Sequence, residues 1–391
     1  MEGSVIERAE ISPLSFELSL PLVTSRGAVA LRKAYILRLF DRDGASGAGE
    51  AAPAYWLGDE TLEETAASLK RIAARVRARP IAPDDLRRWA GLAEPRAAQR
   101  DDADDQHAPA GMGRDGERGN GAAALWPAAR SALDCALLEL RAKRAGCAVA
   151  ELLADSVEGA EPARPVAVSF LLAGESASAI ALQARDAARA GFRTFKLKLG
   201  AHALADDLAR VSAVAAQARG CALRLDANRA FAFDQARELL MRLGAAVADT
   251  GASIEFVEEP LADSTPAALA RLREATGIRV ALDESFDGAR SLEPYLATKA
   301  VDVIVLKAAR LGGPSRCVEI AARGARAGIV SCATDSLEGE MGMAAAVHLG
   351  AALPSPAPAV GLGGAHLGAP FPFSHASLQA SRIGFCVRAA A

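Results

Sequence analysis

From about residue 164 onward, short apolar runs recur at intervals too long for hairpins. The runs are Pro165–Leu171, Thr194–Leu199, Ala222–Asp226, Ile254–Glu258, Val280–Asp283, Val303–Leu306, Gly328–Cys332 and Ala357–Gly361. Between them, segments such as Ala203–Ala218 and Asp234–Leu243 carry apolar residues at helical spacing. Near-continuous apolar strands alternating with helices predict a parallel sheet covered on its outside. Eight such strands in about 200 residues predict closure into a (β/α) barrel rather than an open doubly wound sheet. A dinucleotide-binding open sheet would carry a G-x-G-x-x-G turn after a strand, and none stands there.

The first 50 residues follow a different rule. Apolar and polar positions alternate from Ile6 to Leu18 and again from Ala30 to Phe40, with Asp41-Arg42-Asp43-Gly44 as a turn, which predicts antiparallel strands. Helical spacing follows over 60–78 and 126–145. Residues 97–123, rich in Ala, Asp, Gly and Arg and without apolar periodicity, are expected to form a mobile surface insertion. The expected division is an α+β domain over 1–160, a barrel over 161–370, and a segment over 371–391 that returns to the first domain.

Composition narrows the class. A chain of 391 residues, 51% hydrophobic, has room for two domains and a sizeable core. Its net charge of −3 gives no general attraction to nucleic acid or to anionic membranes. Met1-Glu2-Gly3-Ser4 starts no signal peptide, and no apolar run spans a bilayer. Six scattered cysteines without a C-x-x-C pair point to a reduced, cytoplasmic protein. Oligomeric state, homo-oligomer or monomer, is left open by the sequence.

Lysine usage changes the picture further. Of 45 basic residues only seven are lysine: 33, 70, 143, 196, 198, 299 and 307. Arginine keeps its proton at any accessible pH, whereas lysine can release one when its surroundings favour the neutral form. Lysines 196, 198 and 307 stand at the ends of apolar strands, together with Asp226, Glu258 and Asp283. From Lys198 the steps to Asp226, Glu258, Asp283 and Lys307 are 28, 32, 25 and 24 residues, each about one strand, one helix and two loops. In a parallel barrel such strand ends converge on one mouth.

Three converging carboxylates suit a hard cation such as Mg²⁺, with Mn²⁺ as the alternative ion. Without one, mutual repulsion pushes at least one carboxyl towards its neutral form. The histidines lie outside these strand ends, so a zinc site is not indicated. Lys196 and Lys198, two apart on a strand, point to the same side, and their repulsion eases proton loss. Lys307 would stand across the mouth, so the two sides serve either as alternate acid and base or as one base and one fixed charge. A carbon next to a carboxylate is a very weak acid, and a cation on that carboxylate with an ammonium nearby stabilises the charge its deprotonation creates. The chemistry therefore reads as proton abstraction α to a carboxylate of a small molecule, followed by elimination, racemisation or cycloisomerisation.

The constellation resembles the enolase superfamily, and within it the muconate-lactonizing-enzyme subgroup. The resemblance runs through Gly47-Ala48-Gly49-Glu50-Ala51-Ala52-Pro53, Phe195-Lys196-Leu197-Lys198, Leu225-Asp226-Ala227-Asn228, Val257-Glu258-Glu259-Pro260-Leu261, Leu282-Asp283-Glu284-Ser285 and Val305-Leu306-Lys307. It implies a modified TIM barrel under an α+β capping domain whose early loop, around residues 19–27, shapes the pocket. It also implies Asp226, Glu258 and Asp283 as Mg²⁺ ligands, Lys198 as acid/base tuned by Lys196, and Lys307 on the opposite face. The run Arg224-Leu225-Asp226-Ala227-Asn228-Arg229-Ala230 is similar to that of some o-succinylbenzoate synthases, lyases of menaquinone biosynthesis. On that likeness Arg224, Asn228, Ser336 and Glu338 are candidate substrate contacts, although Arg224 reads equally as a buried arginine fixing the metal carboxylates. Phe231 stands where the family often has Trp, and Gly361-Leu362-Gly363-Gly364 lacks the D-x-D common in dipeptide epimerases. N-acylamino acid racemase, dipeptide epimerase and muconate cycloisomerase are the alternatives within the subgroup. A non-catalytic barrel is expected to have lost a ligand or a lysine, and none is missing.

Overall fold

A computed structural model describes residues 5–24, 27–57, 60–92, 125–155, 157–174, 176–286, 292–369, 375–380 and 384–390. The expected insertion at 97–123 lies outside the described residues. In the N-terminal part, β1 (Ile6–Thr24), β2 (Gly27–Asp41) and β3 (Ser46–Ala51) form one antiparallel sheet in that order. The alternation that stops at Leu18 does so because the β1–β2 register shifts between Glu17 and Leu22; the strand itself continues. At the predicted turn, Asp41 Oδ1 accepts the Asp43 and Ala45 amides, and Gly44 takes φ 83°.

Three helices back this sheet: α1 (Leu62–Ala78), α2 (Pro83–Trp89) and α3 (Pro127–Ala145). Helix α1 starts at a reciprocal cap between Thr61 and Glu64 and buries Leu69, Ile72 and Val76 on one face. Its core partners include Leu37 and Leu39 of β2 and Leu133 and Leu137 of α3. Strand β3 lies almost on the backbone of α3. A Cβ on Gly47 would stand 2.0 Å from the Ala136 carbonyl oxygen, and one on Gly49 would stand 2.1 Å from that of Ala132. The G-x-G spacing is therefore a packing requirement, placing both bare positions on the face that meets the helix.

After the short α4 (Val149–Ala154) the barrel begins with β4 (Val166–Leu172) and α5 (Ala177–Arg189). It continues through β5 (Thr194–Lys198), α6 (Leu204–Gln217), β6 (Ala222–Asp226), α7 (Phe233–Ala248), β7 (Ser253–Glu258) and α8 (Pro266–Thr276). The second half holds β8 (Val280–Leu282), α9 (Glu293–Ala297), β9 (Val303–Lys307), α10 (Ala308–Leu311), α11 (Pro314–Arg326), β10 (Val330–Thr334), α12 (Glu340–Ala352) and β11 (Val360–Gly361). These eight strands pair in parallel, and β11 closes onto β4 through Val360 opposite Val168 and Gly361 opposite Ser169. The fold is thus a closed (β/α) barrel with a separate antiparallel N-terminal sheet domain, as the apolar runs predict.

One strand sits two residues later than its expected span of Gly328–Cys332. Gly328 takes φ 77° as the chain leaves α11, so β10 runs from Val330 to Thr334 and brings Thr334 level with Lys307. Across the domain boundary, the buried Asp134 of α3 accepts Arg87 Nη1 at 2.9 Å and the Ser315 amide at 2.8 Å at the start of α11. Beyond α13 (Gly363–His366), β12 (Ser377–Ala380) pairs antiparallel with β4 and with β13 (Val387–Ala389). Gly384 exchanges backbone hydrogen bonds with Cys147 and Val149. Among the described residues no helix is long and apolar enough to cross a membrane.

Candidate active site

The strand ends expected to carry chemistry do meet. Lys198, Asp226 and Glu258 are register neighbours on β5, β6 and β7, so their side chains form a row along the C-terminal rim. Asp226, Glu258 and Asp283 are all buried, at 0%, 1% and 3% exposure. Lys196 Nζ donates to Glu258 Oε2 at 2.6 Å and lies 2.8 Å from Asp226 Oδ2. Lys198 Nζ donates to Asp226 Oδ2 at 2.6 Å and to Asn228 Oδ1 at 2.7 Å. Lys307 Nζ donates to Asp283 Oδ2, and Arg310 Nη1 donates to Asp283 Oδ1 at 3.1 Å.

Burial and neighbouring charge set the protonation of this row. Burial disfavours the charged forms of Asp226 and Asp283, yet Lys196 and Lys198 on one side, and Lys307 and Arg310 on the other, hold both well below the usual carboxylate range. Glu258 goes the other way, to about 8, through burial and the nearby Asp226 charge. One of three converging carboxyls is thus pushed towards neutrality, as repulsion requires. Burial also opposes the Lys196 charge, but Asp226, Glu258 and Asp283 outweigh it and raise the ammonium above its ordinary value. The lysine-pair repulsion expected from spacing is therefore overridden by the carboxylates around Lys196.

Among the described residues, no three His, Cys, Asp or Glu side chains are gathered in a ready metal cage. Ammonium groups lie among the carboxylates instead. The donor set nonetheless fits a hard cation, because Glu258 Oε1 is buried and accepts no hydrogen bond among the described residues. A buried carboxylate oxygen without a donor is costly unless a cation or proton meets it.

Part of this row opens into a cavity of about 420 Å³, while Asp226 and Glu258 are not among the residues that line it. Lys196, Lys198, Asn228, Asp283, Lys307 and Ser336 line it, so the structure gathers most of the residues singled out from sequence. The capping part contributes Ala54, Trp56 and Leu57, the last two within a 3-10 turn (Tyr55–Leu57). Residues 19–24 continue β1, of which 19–21 are not part of the lining; residues 25 and 26 lie outside the described residues.

Glu338, read from sequence as a substrate contact, and Arg224, read either as a substrate contact or as a buried arginine, do not line the cavity. Arg224 points inward two residues below Asp226, where Nε donates to Glu255 Oε2 at 2.7 Å and Nη1 to the Ala359 carbonyl at 2.7 Å. It fills the barrel interior beneath the carboxylate row, 2% exposed. Glu338 turns back to accept the Ser336 amide, and burial next to Asp335 and Glu50 raises its carboxyl to about 8. Ser336 is at the wall, but its hydroxyl is buried and has no hydrogen-bond partner among the described residues.

The structure adds Glu259 and Arg310 to the groups singled out from sequence, and shows what holds Asn228 in place. Glu259 follows a ligand candidate on a strand and would be read as facing outward, yet it takes φ 44° and accepts the Asp283 and Ser285 amides, both at 2.8 Å. It fixes where Asp283 points. Asn228, at φ 42°, receives Lys198 and donates from Nδ2 to Glu284 Oε1 at 3.2 Å. Left-handed non-glycine residues at two adjacent strand ends mark backbone strain held by the surrounding bonds. Arg310 is legible from the chain: it stands three residues after Lys307, as the third residue of a helix that starts directly after that strand, and so returns over the mouth.

A family sequence model described as "Enolase C-terminal domain-like" matches residues 179–379, just over half of the chain. Among curated relatives, a chloromuconate cycloisomerase of Pseudomonas putida is 30% identical over 229 residues, covering 58% of this chain and 59% of that protein. The chain thus spans about three fifths of the length of the cycloisomerases it matches. The L-Ala-D/L-Glu epimerase of Bacillus subtilis is 25% identical over 347 residues, covering 88% of this chain and 85% of that protein. Of the solved structures, a dipeptide epimerase from Enterococcus faecalis, complexed with Mg and a dipeptide, superposes with TM-score 0.77 at 21% identity over 98% of this chain and 99% of that one. A muconate lactonizing enzyme from Pseudomonas fluorescens gives 0.76 at 22% identity over 100% and 98%. With the family match joined to a closed barrel whose strand ends carry acids and lysines around one cavity, the chain belongs to the enolase superfamily.

Proposed function

We propose that this protein is a lyase that removes the proton α to a substrate carboxylate and expels a hydroxyl from the same face, giving o-succinylbenzoate for menaquinone biosynthesis in the cytoplasm. The observation that carries the chemistry is that Lys198 and Lys307 line one cavity from strands β5 and β9, four steps apart in an eight-stranded ring, with the carboxylates between. Asp226, Glu258 and Asp283 would hold a Mg²⁺ or Mn²⁺ ion, which when bound makes the α proton more acidic by withdrawing charge from the substrate carboxylate.

The chain's own residues supply the rest. Lys198, oriented by Asn228 and Asp226, takes the proton in its neutral form and returns it to the departing hydroxyl, so water leaves and the base is regenerated. Lys196 sits against Asp226 and Glu258 and sets the charge beside that base. Lys307, held on Asp283, contributes a fixed positive charge to the opposite side. Asn228 is the polar group best placed to touch substrate. The absence of a D-x-D at 361–364 removes the usual holder of a dipeptide amino group and supports dehydration. Six unpaired cysteines support the cytoplasmic placement.

The second reading is racemisation, epimerisation or cycloisomerisation, favoured by the relatives, the epimerase match covering 88% of the chain. The test is an assay of the purified protein on the cyclohexadiene acid, muconate, N-acylamino acids and a dipeptide panel, with Lys198→Ala and Lys307→Ala in deuterium oxide. Dehydration by the wild type, lowered about 10²–10⁴-fold in kcat by Lys198→Ala, supports the proposal. Solvent deuterium entering an α position through both lysines, without dehydration, supports the second reading instead. Normal turnover by Lys198→Ala overturns both.

A further inference from the structure

The wall of the cavity formed by Ser336 and Leu337 is gripped from the other domain at two points. Arg32 of β2 is fully buried, at 0% exposure, and forms no ion pair among the described residues. Its donors go to backbone carbonyls: Nε to Leu337 at 2.9 Å, Nη1 to Pro53 at 2.9 Å, and Nη2 to Ala52 at 3.1 Å and Ser336 at 3.4 Å. One planar guanidinium thereby joins the strand that leads into Trp56 to the barrel loop that carries Ser336 and Leu337. Its face lies 4.4 Å from the Trp56 ring centroid. Leu337 takes φ 60°, a strained conformation for a branched side chain, and its carbonyl is the one that Arg32 Nε holds.

Glu50 of β3 grips the same loop with the opposite polarity. Its Oε1 accepts the Gly339 amide at 2.7 Å and its Oε2 accepts the Gly342 amide at 3.1 Å. Gly339 is the N-cap of α12, and neither it nor its neighbours caps that helix with a side chain of their own. A carboxylate from another domain therefore supplies what the first turn of α12 lacks. Carbonyls at 336 and 337 are held by a cation, and amides at 339 and 342 by an anion, so a single short segment is fixed against both translation and peptide flipping.

We propose that Arg32 and Glu50 form a two-point staple that fixes the Ser336–Leu337 wall and the Trp56 turn against each other, making both residues positioning residues for the substrate that the cavity takes. The role of the wall in substrate binding rests on the functional reading above; the existence of the staple does not. The spacing also explains why Glu50 lies in the G-x-G-E run. Gly47 and Gly49 seat β3 on α3, and the next residue faces the barrel loop.

The test is amide hydrogen exchange on the full chain, followed by mass spectrometry of peptides covering 336–343, for the wild type, Arg32→Met and Glu50→Gln. Arg32 touches neither Gly339 nor Gly342, so faster exchange at those two amides in Arg32→Met supports the staple. Unchanged exchange in folded Arg32→Met overturns it. Should Arg32→Met fail to fold, Glu50→Gln decides by the Ser336 and Leu337 amides, which Glu50 does not touch: acceleration supports the staple and wild-type rates overturn it. In kinetics on whichever panel acid the wild type turns over, Arg32→Lys should raise KM about tenfold with a smaller change in kcat, because an ammonium cannot span both segments. An unchanged KM overturns the positioning role. If the wild type turns over none of these acids, the functional reading fails while the exchange result still decides the staple.

Discussion

At the scale of single residues, the site is governed by charges that must share one buried place. Glu258 illustrates this. It is 1% exposed, its Oε2 receives Lys196, and its Oε1 receives no donor among the described residues. Addition of millimolar Mg²⁺ is expected to raise the melting temperature of the wild type, since a ligand that binds only the native state stabilises it. Glu258→Gln keeps the shape and one acceptor but loses the charge, so its Mg²⁺-dependent shift should fall to less than half. A shift of unchanged size, read by differential scanning calorimetry, would place the ion elsewhere. Residue identity was the part most readily read from the chain. Lys196, Lys198, Asp226, Glu258, Asp283 and Lys307 stood out by strand-end position and by the scarcity of lysine. Of the two readings the sequence leaves open for Arg224, the buried one matches its position, and Glu338 stands off the cavity lining for the same reason. Strand periodicity says which side of the sheet a residue faces, but not which layer of the barrel it fills or whether its loop turns back.

At the scale of elements, close approach decides more than propensity does. Strand β3 carries Gly47 and Gly49 because α3 passes where their side chains would stand. Gly49→Ala would put a methyl 2.1 Å from a helix carbonyl oxygen, so β3 or α3 must shift. The expected destabilisation is about 1–3 kcal/mol or more, read as a lower urea midpoint with an unchanged m-value. Gly44→Ala is the contrasting case: its φ is positive, at 83°, while nothing lies within 4 Å of the added methyl, whereas Gly49 has no positive φ and meets only the packing clash. Equal midpoints for Gly49→Ala and the wild type would contradict the packing account. Element boundaries followed the sequence closely where apolar runs ended in charged residues, as for Ala222–Asp226. They slipped where the chain relied on a glycine turn: β10 begins after Gly328 rather than at it. That slip of two residues matters, since it decides that Thr334 rather than Cys332 stands beside Lys307 at the mouth.

At the scale of the whole molecule, buried polar groups tie the chain's distant parts together. His348 of α12, 0% exposed, accepts the Ala150 amide at Nδ1 and bonds through Nε2 to the Cys386 carbonyl in the tail. Burial lowers its pKa from 6.5 to about 4. Because the folded value lies below the unfolded one, the unfolded chain binds the extra proton first as pH falls. The stability this group contributes is complete above about 6.5 and is lost progressively down to about 4. Relative to His348→Gln, the wild type should therefore lose unfolding free energy between pH 7 and pH 4, by at most about 3 kcal/mol. Parallel urea midpoints for the two proteins across that range would contradict the assignment. The amino-acid sequence by itself determined the barrel, its strand order and the groups at its mouth, because burial on both faces of parallel strands leaves continuous apolar runs with reactive residues at their ends. Only the tertiary structure decided that Glu259 aims Asp283, that Arg224 lies below the cavity, and that Arg32 and Glu50 reach across to residues 336–342. Those contacts join positions up to about 300 residues apart, and no local periodicity encodes which distant backbone a buried side chain will meet.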